Sequence, residues 1–472
     1  MTVCIPMASS FLDAIADFIS EHALLAEGAR VVVAASGGAD SMACLAGLRR
    51  LGYDVHAFHV NYGLREGAEA DEALVRRWCA RQSPPVPFRA VACDAMARAE
   101  AHDESLQEAA RCLRYAALAD YATALDAAAV ATGHHRDDQA ETLLLNLVRG
   151  CGPEGLAGMR PMRPLQHAPS VSLVRPLLPV SRDDIETYAA ATGLPWRTDP
   201  TNRSLAYDRG VIRTEILPRL AAHFEGARAP MARSARLVRE YVDTDLRPAL
   251  RERMATAYEA RPEGGWMHLQ PLRTAAPVWR RRLMLAALRR SLPTAPSSHG
   301  LATELAGLVE AQVGRRVEVD GGAIWRERGG LRFLPDTAAP DPLAPTSVPP
   351  DTPIDIPQGT LRVEPVEEGP DILDAESPHT VYADADRLGA ALSVRTWTDG
   401  DRFRPLGLEG TKRVSRLLTE RRVPAHRRTG VAVLCTDAHI AWVVGHRLDH
   451  RVRVRPDTEH VARLILQPRE KA

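Results

Sequence analysis

Short apolar segments alternate with helical segments through the first half of this 472-residue chain. An apolar run at residues 31–35 ends in Ser-Gly-Gly, and residues 41–51 then have the pattern of a helix. Further strand-like segments cover residues 55–60, 88–92 and 128–132. Strands that alternate with helices predict a parallel, doubly wound sheet, which binds ligands at the carboxyl ends of its strands. The first half of the chain is therefore expected to be an α/β domain.

The pattern changes twice after this alternating region. From about residue 205 it is helical and rich in arginine, and eight prolines lie within residues 335–357. Strand-like segments then dominate, notably residues 431–434 and 440–444. We predict four parts: a doubly wound parallel-sheet domain at residues 1–220, a helical, arginine-rich middle domain at 221–334, a proline-rich linker at 335–358, and a small α+β C-terminal domain at 359–472.

Basic residues are concentrated in two stretches. The whole chain has 60 basic and 60 acidic residues and no net charge. Residues 203–290 nevertheless contain 18 arginines against 9 acidic residues, and residues 395–428 contain 10 basic residues against 4 acidic ones. This asymmetry indicates an anionic partner for the middle and C-terminal parts.

Several classes of protein are disfavoured. No apolar stretch approaches the roughly 20 residues of a membrane helix, and the N-terminus lacks a signal-peptide pattern, so we expect a cytoplasmic protein with no membrane partner. The seven cysteines are scattered and form no CxxC pair, which disfavours a disulfide framework and a zinc site. Lysine occurs only at Lys412 and Lys471. Charge on a nucleotide bound by the first half must therefore be met by arginine, a metal ion or backbone amides.

The loop Ser-Gly-Gly-Ala-Asp-Ser follows the first predicted strand. Its two glycines allow the backbone to turn sharply and approach a phosphate at the start of a helix. Asp40 would repel a bare phosphate, so it suggests a Mg²⁺ ion between carboxylate and nucleotide. No GxxxxGK[ST] segment occurs, which excludes an ordinary Walker loop. We predict that the whole loop binds the nucleotide: Ser36, Gly37, Gly38, Ala39, Asp40 and Ser41.

This loop resembles the signature of the PP-loop ATP pyrophosphatases, which cleave ATP between the α and β phosphates to adenylate a substrate. Within that group, the chain is similar to the tRNA(Ile)-lysidine synthetases in further motifs that follow in the family's order. These motifs are His59–Arg65, Glu108–Tyr115, Gly133–Thr142, Arg149–Gly152 with Gly155–Met159, Asp199–Asn202, Arg209–Pro218, Gly400–Gly407 and Trp442–Asp449. Tyr62 stands where that family usually has histidine, and residues 225–390 match only in general character.

The resemblance implies a ligase that forms a carbon–nitrogen bond on the wobble cytidine of the isoleucine tRNA with a CAU anticodon. ATP would adenylate the oxygen on carbon 2 of cytosine and release pyrophosphate, and the ε-amine of free L-lysine would then displace AMP. ATP and Mg²⁺ are the implied cofactors, and no protein partner is expected. Residues 1–220 would be the ATP-binding catalytic domain, and residues 221–334 and 359–472 would contact the tRNA.

Histidines and acids follow the predicted strand that ends at Thr132, in the order Gly-His-His-Arg-Asp-Asp. A strand end followed by a helix start suits proton transfer or metal binding in a doubly wound sheet. We therefore predict His134 and Asp137 as catalytic groups, in addition to Asp40. Whether His135 and Asp138 act in catalysis or only cap the helix stays open.

Arg111 and Arg114 lie three residues apart and share one helix face. Since no lysine is near, we predict Arg111 as a catalytic counter-charge for the leaving pyrophosphate. Gln139 and Glu141 are expected on a helix surface, and Tyr62, Trp78 and Tyr115 are expected to serve in packing rather than in base stacking.

Arg233, Arg236 and Arg239 recur at helical spacing and could form one basic ridge. Local basic excess of this kind favours contact with a phosphate backbone. We predict RNA contacts at Arg233 and Arg236, and at Lys412 and Arg413 in the C-terminal basic stretch.

Other functions remain as alternatives. A PP-loop tRNA sulfurtransferase would insert sulfur at a similar carbon, but that chemistry usually needs paired cysteines. A catalytically inactive protein that binds nucleotide and RNA is a second alternative. A small-molecule enzyme such as NAD synthetase would leave the basic middle and C-terminal stretches unexplained.

Overall fold

The computed structural model describes residues 4–63, 67–198, 208–338, 341–366, 377, 379–408 and 410–469. It divides into two compact units, Met1–Arg247 and Pro248–Ala472. Leu64 and Arg65 of one motif, and Asp199–Asn202 of another, lie outside the described residues. Within the described ranges, no helix combines the length and apolarity needed to cross a membrane.

A six-stranded sheet forms the centre of the first unit, in the order β3-β2-β1-β4-β6-β5. Its strands are β1 (Arg30–Ala34), β2 (Asp54–Asn61), β3 (Phe88–Ala92), β4 (Ala129–Ala131), β5 (Met162–Leu165) and β6 (Ala168–Val174). Neighbouring strands are parallel except for β5, which pairs antiparallel with β6. Val31 of β1 pairs with Val55 on one side and Ala129 on the other. Such a central strand is covered on both faces, which explains its unbroken apolar sequence.

Helices cover both faces of this sheet. They are α1 (Cys4–Glu21), α2 (Ala39–Arg50), α3 (Ala68–Ala80), α4 (Ala95–His102), α5 (Leu106–Ala124), α6 (Arg136–Val148), α7 (Pro153–Leu156) and α8 (Arg182–Thr192). One core joins α1, α2, α3 and α8 through Ile15, Leu45, Val75 and Ile185. A second core includes Leu118 of α5. The predicted doubly wound α/β fold is confirmed.

The strands predicted at residues 55–60, 88–92 and 128–132 are β2, β3 and β4. β5 and β6 have no counterpart among the strands predicted from the sequence. Pro164 lies in β5 and Pro169 in β6, and proline weakens a strand pattern because it cannot donate to the ladder.

Two helix starts bring polar side chains to the carboxyl end of the sheet. α6 follows β4, and the Asp138 carboxylate accepts a hydrogen bond from the amide of His135 at 3.0 Å. α8 follows β6, and Ser181 and Asp184 form the same kind of reciprocal cap. These caps fix the side chains of the first turn of each helix.

Two interrupted helices complete the first unit and lead into the second. One consists of α9 (Asp208–Val211), a π-helical turn (Ile212–Ile216) and α10 (Leu217–His223). The other consists of α11 (Arg228–Tyr241), a π-helical turn (Val242–Leu246) and α12 (Arg247–Ala257). Ile212 and Leu217 pack with Ala140 of α6, so the first of these helices is anchored beside the start of α6.

The second unit begins with helices and an antiparallel sheet in the order β7-β8-β11-β10-β9. These elements are β7 (Tyr258–Arg261), β8 (Gly264–His268), α13 (Leu269–Thr274), α14 (Pro277–Ser291), α15 (His299–Gly307), β9 (Arg316–Val319), β10 (Gly322–Arg326), β11 (Gly330–Pro335) and a 3₁₀ turn (Asp336–Ala338). Leu272, Met284 and Phe333 belong to their common core. The helices predicted for the middle region are present, together with this unpredicted sheet.

The C-terminal part contains further antiparallel sheets, in the orders β12-β16-β19-β20-β21, β13-β14-β22-β15 and β17-β18. Its elements are β12 (Thr346–Ser347), β13 (Ile354–Ile356), β14 (Gly359–Val366), β15 (Thr380–Asp384), α16 (Ala385–Leu388), β16 (Ser393–Thr396), β17 (Arg402–Phe403), β18 (Lys412–Arg413), α17 (Val414–Glu420), α18 (Ala425–Arg428), β19 (Ala432–Cys435), β20 (Ile440–Val443), β21 (Arg447–Leu448), a 3₁₀ turn (His450–Val452) and β22 (Val461–Pro468). This mixture of strands and short helices confirms the predicted α+β class. The domain boundaries at residues 220, 334 and 358 stay predictions.

Candidate active site

A cavity of about 1020 Å³ lies at the carboxyl ends of β1, β2 and β4, and we call it the PP-loop cavity. Of the residues predicted from the sequence, those lining it are Ser36, Gly38, Ala39, Asp40, Ser41, Arg111, His134 and Asp137. Their side chains come from segments that are up to about a hundred residues apart in the sequence. The fold therefore brings together the nucleotide loop and the proposed catalytic groups.

The loop between β1 and α2 is held by its own serines. The Ser41 hydroxyl donates to the Gly38 carbonyl at 3.0 Å and accepts from the Ser36 amide at 3.1 Å. Gly37 has φ = +86°, a conformation that side chains rarely adopt. Gly38 caps α2 without a side-chain hydrogen bond. The first amides of α2 are therefore available to an anion.

Gly133 lets the segment after β4 approach this loop closely. A Cβ atom at Gly133 would lie 2.7 Å from the carbonyl carbon of Asp40 and 2.9 Å from the amide nitrogen of Ser41. Only glycine fits against backbone at that distance. The two motifs are thus packed directly against each other.

Asp40 is paired with a basic side chain that the sequence analysis did not single out. Nη1 of Arg182 lies 2.6 Å from both carboxylate oxygens of Asp40. Nε2 of His135 lies 3.6 Å from one of them. Burial raises the pKa of Asp40, and the charges of His135 and Arg182 oppose the rise. The Ser-x-x-Asp cap that precedes α8 was the signal that could have located Arg182.

The pKa values of His134 and Asp138 are both lowered, which favours the neutral form of the histidine and the ionised form of the aspartate. Burial lowers the pKa of His134 to about 3; Asp138 opposes this shift, and nearby arginines add to it. Burial alone would raise the pKa of Asp138, but His135 and Arg209 lower it to about 2. The Thr132 hydroxyl lies 2.9 Å from Nδ1 of His134. At neutral pH the cavity therefore holds a neutral His134 beside an ionised Asp138.

Two arginines of the segment after α8 clamp the acids of α6. Nε of Arg209 donates to Glu141 at 2.8 Å, and Nε of Arg213 donates to the same carboxylate at 2.6 Å. Both guanidinium groups also reach Asp138, at 3.1 and 3.3 Å. These hydrogen bonds hold the beginning of α6 in place through residues that do not belong to the central sheet.

The expectation that Gln139 and Glu141 lie on a helix surface is wrong. Each is only 3% exposed. The Gln139 amide both donates to the carbonyl and accepts from the amide of Met159, each at 2.7 Å. Polar residues in the first turns of a helix are expected to be exposed when only the sequence is known. Their burial depends on hydrogen-bond partners that are distant along the chain.

Asp137 and His135 are part of the same polar cluster. The Asp137 carboxylate accepts a hydrogen bond from the Arg182 amide at 2.7 Å and lies 3.5 Å from Nε of Arg228. Nδ1 of His135 accepts from the Asp137 amide at 3.3 Å, so Nε2 carries the ring proton in the neutral form. His135 is thus both a helix cap and a neighbour of Asp40 and Asp138.

Arginines surround the buried Tyr115, which lies on the same helix as two arginines that line the cavity. The guanidinium groups of Arg111, Arg114 and Arg163 lie 4.9, 5.4 and 5.3 Å from the ring centre of Tyr115. Burial would raise the pKa of Tyr115, but these arginines and Arg175 lower it overall. Arg111 and Arg114 also line the cavity. They form a positive wall suited to phosphate groups.

The sequence of the chain matches two known family models. Residues 7–220 match the family described as PP-loop domain, and residues 392–465 match the TilS substrate C-terminal domain. The tRNA(Ile)-lysidine synthase of Symbiobacterium thermophilum is 34% identical over 97% of this chain and 98% of its own length. The chain belongs to the tRNA(Ile)-lysidine synthase family. The synthases of Parabacteroides distasonis and Geobacter sulfurreducens are 34% and 32% identical, each over 94% of this chain and over 97% and 94% of their own lengths.

Membership of the tRNA(Ile)-lysidine synthase family confirms the resemblance carried by the sequence motifs. It also confirms the class of enzyme, an ATP-using ligase built on a PP-loop domain. The roles of individual residues stay predictions.

The basic ridge predicted on α11 is only partly present. Arg233 and Arg236 are exposed, and Arg236 lies 3.5 Å from Glu240. Arg239 instead donates to the carbonyl of Met159, and burial lowers its pKa. Arg239 therefore makes its contacts inside the first unit. Of the three arginines, Arg233 and Arg236 are the two that α11 exposes to solvent.

The C-terminal pair differs in its surroundings. Lys412 forms an ion pair with Glu420, whereas Arg413 is exposed at the start of α17. Of the two, Arg413 is better placed to meet an RNA phosphate.

The residues around Asp40 fit the Mg²⁺ ion that this family's chemistry implies. Among the described residues, no group of three acidic, histidine or cysteine side chains forms a complete metal cage. Mg²⁺ at nucleotide sites usually takes one or two carboxylates, and phosphates and water supply its other ligands. Asp40 offers such a carboxylate beside the amides of the loop, with Asp138 near enough to raise its pKa.

Proposed function

We propose that this chain ligates free L-lysine to carbon 2 of the wobble cytidine in the isoleucine tRNA with a CAU anticodon. The reaction would consume ATP and release pyrophosphate and AMP. The observation that carries this proposal is one cavity that holds both the phosphate-binding loop and the polar cluster at the start of α6. Adenylation of a base and attack by an amine need those two parts side by side.

In the first step, the oxygen on carbon 2 attacks the α-phosphate of ATP and pyrophosphate leaves. The free amides at the start of α2 are placed to bind phosphate oxygens. Arg111 and Arg114 would meet the charge that develops on pyrophosphate. An amide-like oxygen leaves poorly, and adenylation converts it into a good leaving group.

Asp40 would hold the Mg²⁺ ion, which supplies positive charge to the departing pyrophosphate. In the structure, Arg182 occupies both oxygens of Asp40. It would therefore release that carboxylate on nucleotide binding, and its guanidinium group would then be free for a phosphate oxygen.

In the second step, the lysine ε-amine must lose a proton before it attacks, since its usual pKa is ~10.4. Asp137 and the ionised Asp138 would attract the ammonium group into the cavity. His134 is a candidate to accept the proton, but a pKa of about 3 makes it a weak base in the unliganded protein. Positive charge on Arg175, Arg209 and Arg114 contributes to that low pKa. We infer that phosphates bound beside these arginines raise it and so enable His134 to act.

The proposed contacts to the RNA backbone are the exposed Arg233 and Arg236 of α11, together with Lys412 and Arg413 of β18. Residues 1–220 would carry catalysis, and the two following domains would position the tRNA. We place this reaction in the cytoplasm with no protein partner.

A labelling assay tests the proposal. The protein is incubated with ATP, labelled lysine and an isoleucine tRNA transcript bearing CAU, and we expect label in the RNA with one AMP per lysine. A transcript with guanosine at the wobble position serves as the control and should remain unlabelled. Release of AMP and pyrophosphate without lysine in the RNA would contradict the proposal.

The sulfurtransferase alternative receives no support from the cysteines. Among the described residues, the cysteines are all free. Burial raises the pKa of Cys44 and Cys79 to about 12, which leaves almost no reactive thiolate at neutral pH.

A further inference from the structure

A second cavity, of about 540 Å³, lies in the first unit among the C-terminal ends of α2, α3 and α8. We call it the helix-end cavity. α2 runs from Ala39 at the phosphate-binding loop to Arg50 at this cavity. At ~1.5 Å per residue, the length of α2 separates the two cavities by about 18 Å. The volume lies within the ~300–1,000 Å³ common for small-molecule sites.

Four arginines line the helix-end cavity, namely Arg49, Arg50, Arg77 and Arg81. No acidic side chain of the described chain lines it, and none of the four forms an ion pair with another described residue. Three arginines of the PP-loop cavity differ, since Arg182, Arg209 and Arg213 each have a carboxylate partner. The positive charge of the helix-end cavity is thus not neutralised by neighbouring side chains.

Helix dipoles account for part of this charge. Three helices end at the cavity, at Leu51, Arg81 and Gly193, and each C-terminus carries about half a negative charge. Together they offset roughly 1.5 of the four positive charges. Arg49 also donates to the carbonyl of Pro84 at 2.9 Å. A surplus of roughly 2.5 positive charges remains for an anion.

A buried hydroxyl in the same cavity is incompletely hydrogen-bonded. Tyr188 is 1% exposed, and its ring stacks on Phe11 with 4.2 Å between ring centres. No hydrogen bond of ordinary geometry reaches its hydroxyl from the residues that the structure describes. Burial raises the pKa of Tyr188, and the charge and hydrogen bonding of Arg50 oppose the rise. Arg50 is therefore a polar neighbour of this hydroxyl, and the O–H group is still able to donate to a ligand oxygen in the cavity.

Trp78 gives the cavity a flat aromatic surface beside this positive charge. Aromatic rings next to arginines suit a ligand that carries both a base and a phosphate. We propose that the helix-end cavity binds a nucleotide, with its phosphate on the arginines and the Tyr188 hydroxyl and its base against Trp78. The nucleotide is either free in solution or part of the bound tRNA, and both sources offer the same chemistry.

Hydrogen exchange of the full chain tests this proposal and separates the sources. Peptides covering residues 74–82 and 188–195 are followed with ATP alone and with the tRNA transcript alone. At ~10 times the dissociation constant, a ligand should slow exchange about ten-fold. Protection by ATP identifies a free nucleotide, and protection by the transcript alone identifies a nucleotide of the RNA.

The arginines are tested with the double variant Arg77→Glu/Arg81→Glu, which should abolish the protection. Arg89→Glu, an exposed change of the same charge outside the cavity, should preserve it. Absence of protection with both ligands, or protection that persists in the double variant, would overturn the proposal. Peptides covering residues 36–41 report separately on ATP in the PP-loop cavity, so the two proposals can fail independently. If the double variant unfolds, Arg77→Gln/Arg81→Gln replaces it.

Discussion

Arg209 and Arg213 in the PP-loop cavity donate to the buried carboxylate of Glu141, at 2.8 and 2.6 Å. Arg77 and Arg81 in the helix-end cavity have no carboxylate partner among the described residues. The first arrangement fixes the position of each guanidinium group and lowers the local net charge. The second leaves charge available to a ligand. In a chain whose basic residues are nearly all arginine, pairing rather than residue type separates the structural cations from those that can bind anions.

The exposed arginines of α11 form an intermediate case. Arg233 is exposed, and Arg236 has only the exposed Glu240 as a partner. Exposed pairs contribute little to stability, about 0–1 kcal/mol. Their substitution should therefore affect ligand binding more than folding, whereas substitution of Glu141 should do the reverse. Variants of Glu141 and of Arg233 with Arg236 test this distinction, and variants of Asp40 and His134 test the cavity in which the paired arginines lie.

The largest effect is expected for Asp40→Asn. Loss of the carboxylate removes the proposed metal ligand and the partner of Arg182, and we expect turnover to fall by at least about 10²–10³-fold. Binding of the tRNA, measured by filter retention, should be nearly unchanged. Asp126→Asn, in an exposed turn after α5, is the control and should keep full activity. Loss of tRNA binding in Asp40→Asn would show that the loop has another role.

Glu141→Gln should destabilise the first unit by roughly 2–3 kcal/mol. The change leaves Arg209 and Arg213 without their charged partner, and their partial exposure reduces the ~3–5 kcal/mol expected for a fully buried pair. The free energy of unfolding is measured with urea. Glu240→Gln, which removes the exposed partner of Arg236, should cost less than about 1 kcal/mol. If both variants lose the same free energy of unfolding, arginines with a buried partner and arginines with an exposed partner do not differ in their contribution to stability.

His134 should make stability depend on pH. Its pKa is about 3 in the folded chain and 6.5 in the reference state, so the unfolded chain binds the proton first as pH falls. Stability is therefore complete above pH 6.5 and declines as pH falls toward 3, by about 2 kcal/mol between pH 6.5 and 5. His134→Gln should remove the share of this dependence that comes from His134, while His446, whose pKa burial lowers to about 4, still contributes with the same sign. His102→Gln, at an exposed histidine, should leave the dependence intact. A wild-type stability that is constant from pH 6.5 to 5 would contradict the shift.

The smallest effect is expected for Arg233→Glu/Arg236→Glu. Each arginine that contacts an RNA phosphate releases counterions, so the slope of log affinity against log salt should fall by about 1–2. Affinity should drop about ten-fold at moderate salt, while turnover at saturating tRNA and the urea midpoint remain close to wild type. An unchanged salt slope would assign these two arginines to a solvated helix face.

Much of the fold could be predicted because local patterns and topology agree in the first unit. β1 is a buried apolar strand followed by a glycine turn, and those features depend on neighbouring residues only. β5 and β6 were missed because their prolines obscure the strand pattern, and the middle sheet was missed because helical and basic residues dominate that region. In the C-terminal part, β19 and β20 lie within one residue of the strands expected from the sequence.

The candidate site divides in the same way. The sequence alone determined the phosphate-binding loop, the His-His-Arg-Asp-Asp segment after β4 and the family to which the chain belongs, because each depends on residues that are contiguous. The tertiary structure decided which charges are neutralised. Arg182 reaches Asp40 from 142 residues away, and Arg213 reaches Glu141 from 72. Only folding shows that Glu141 is a buried anchor and that the arginines at the ends of α2 and α3 have no carboxylate partner among the described residues, since electrostatic pairing depends on distance in space rather than on spacing along the chain.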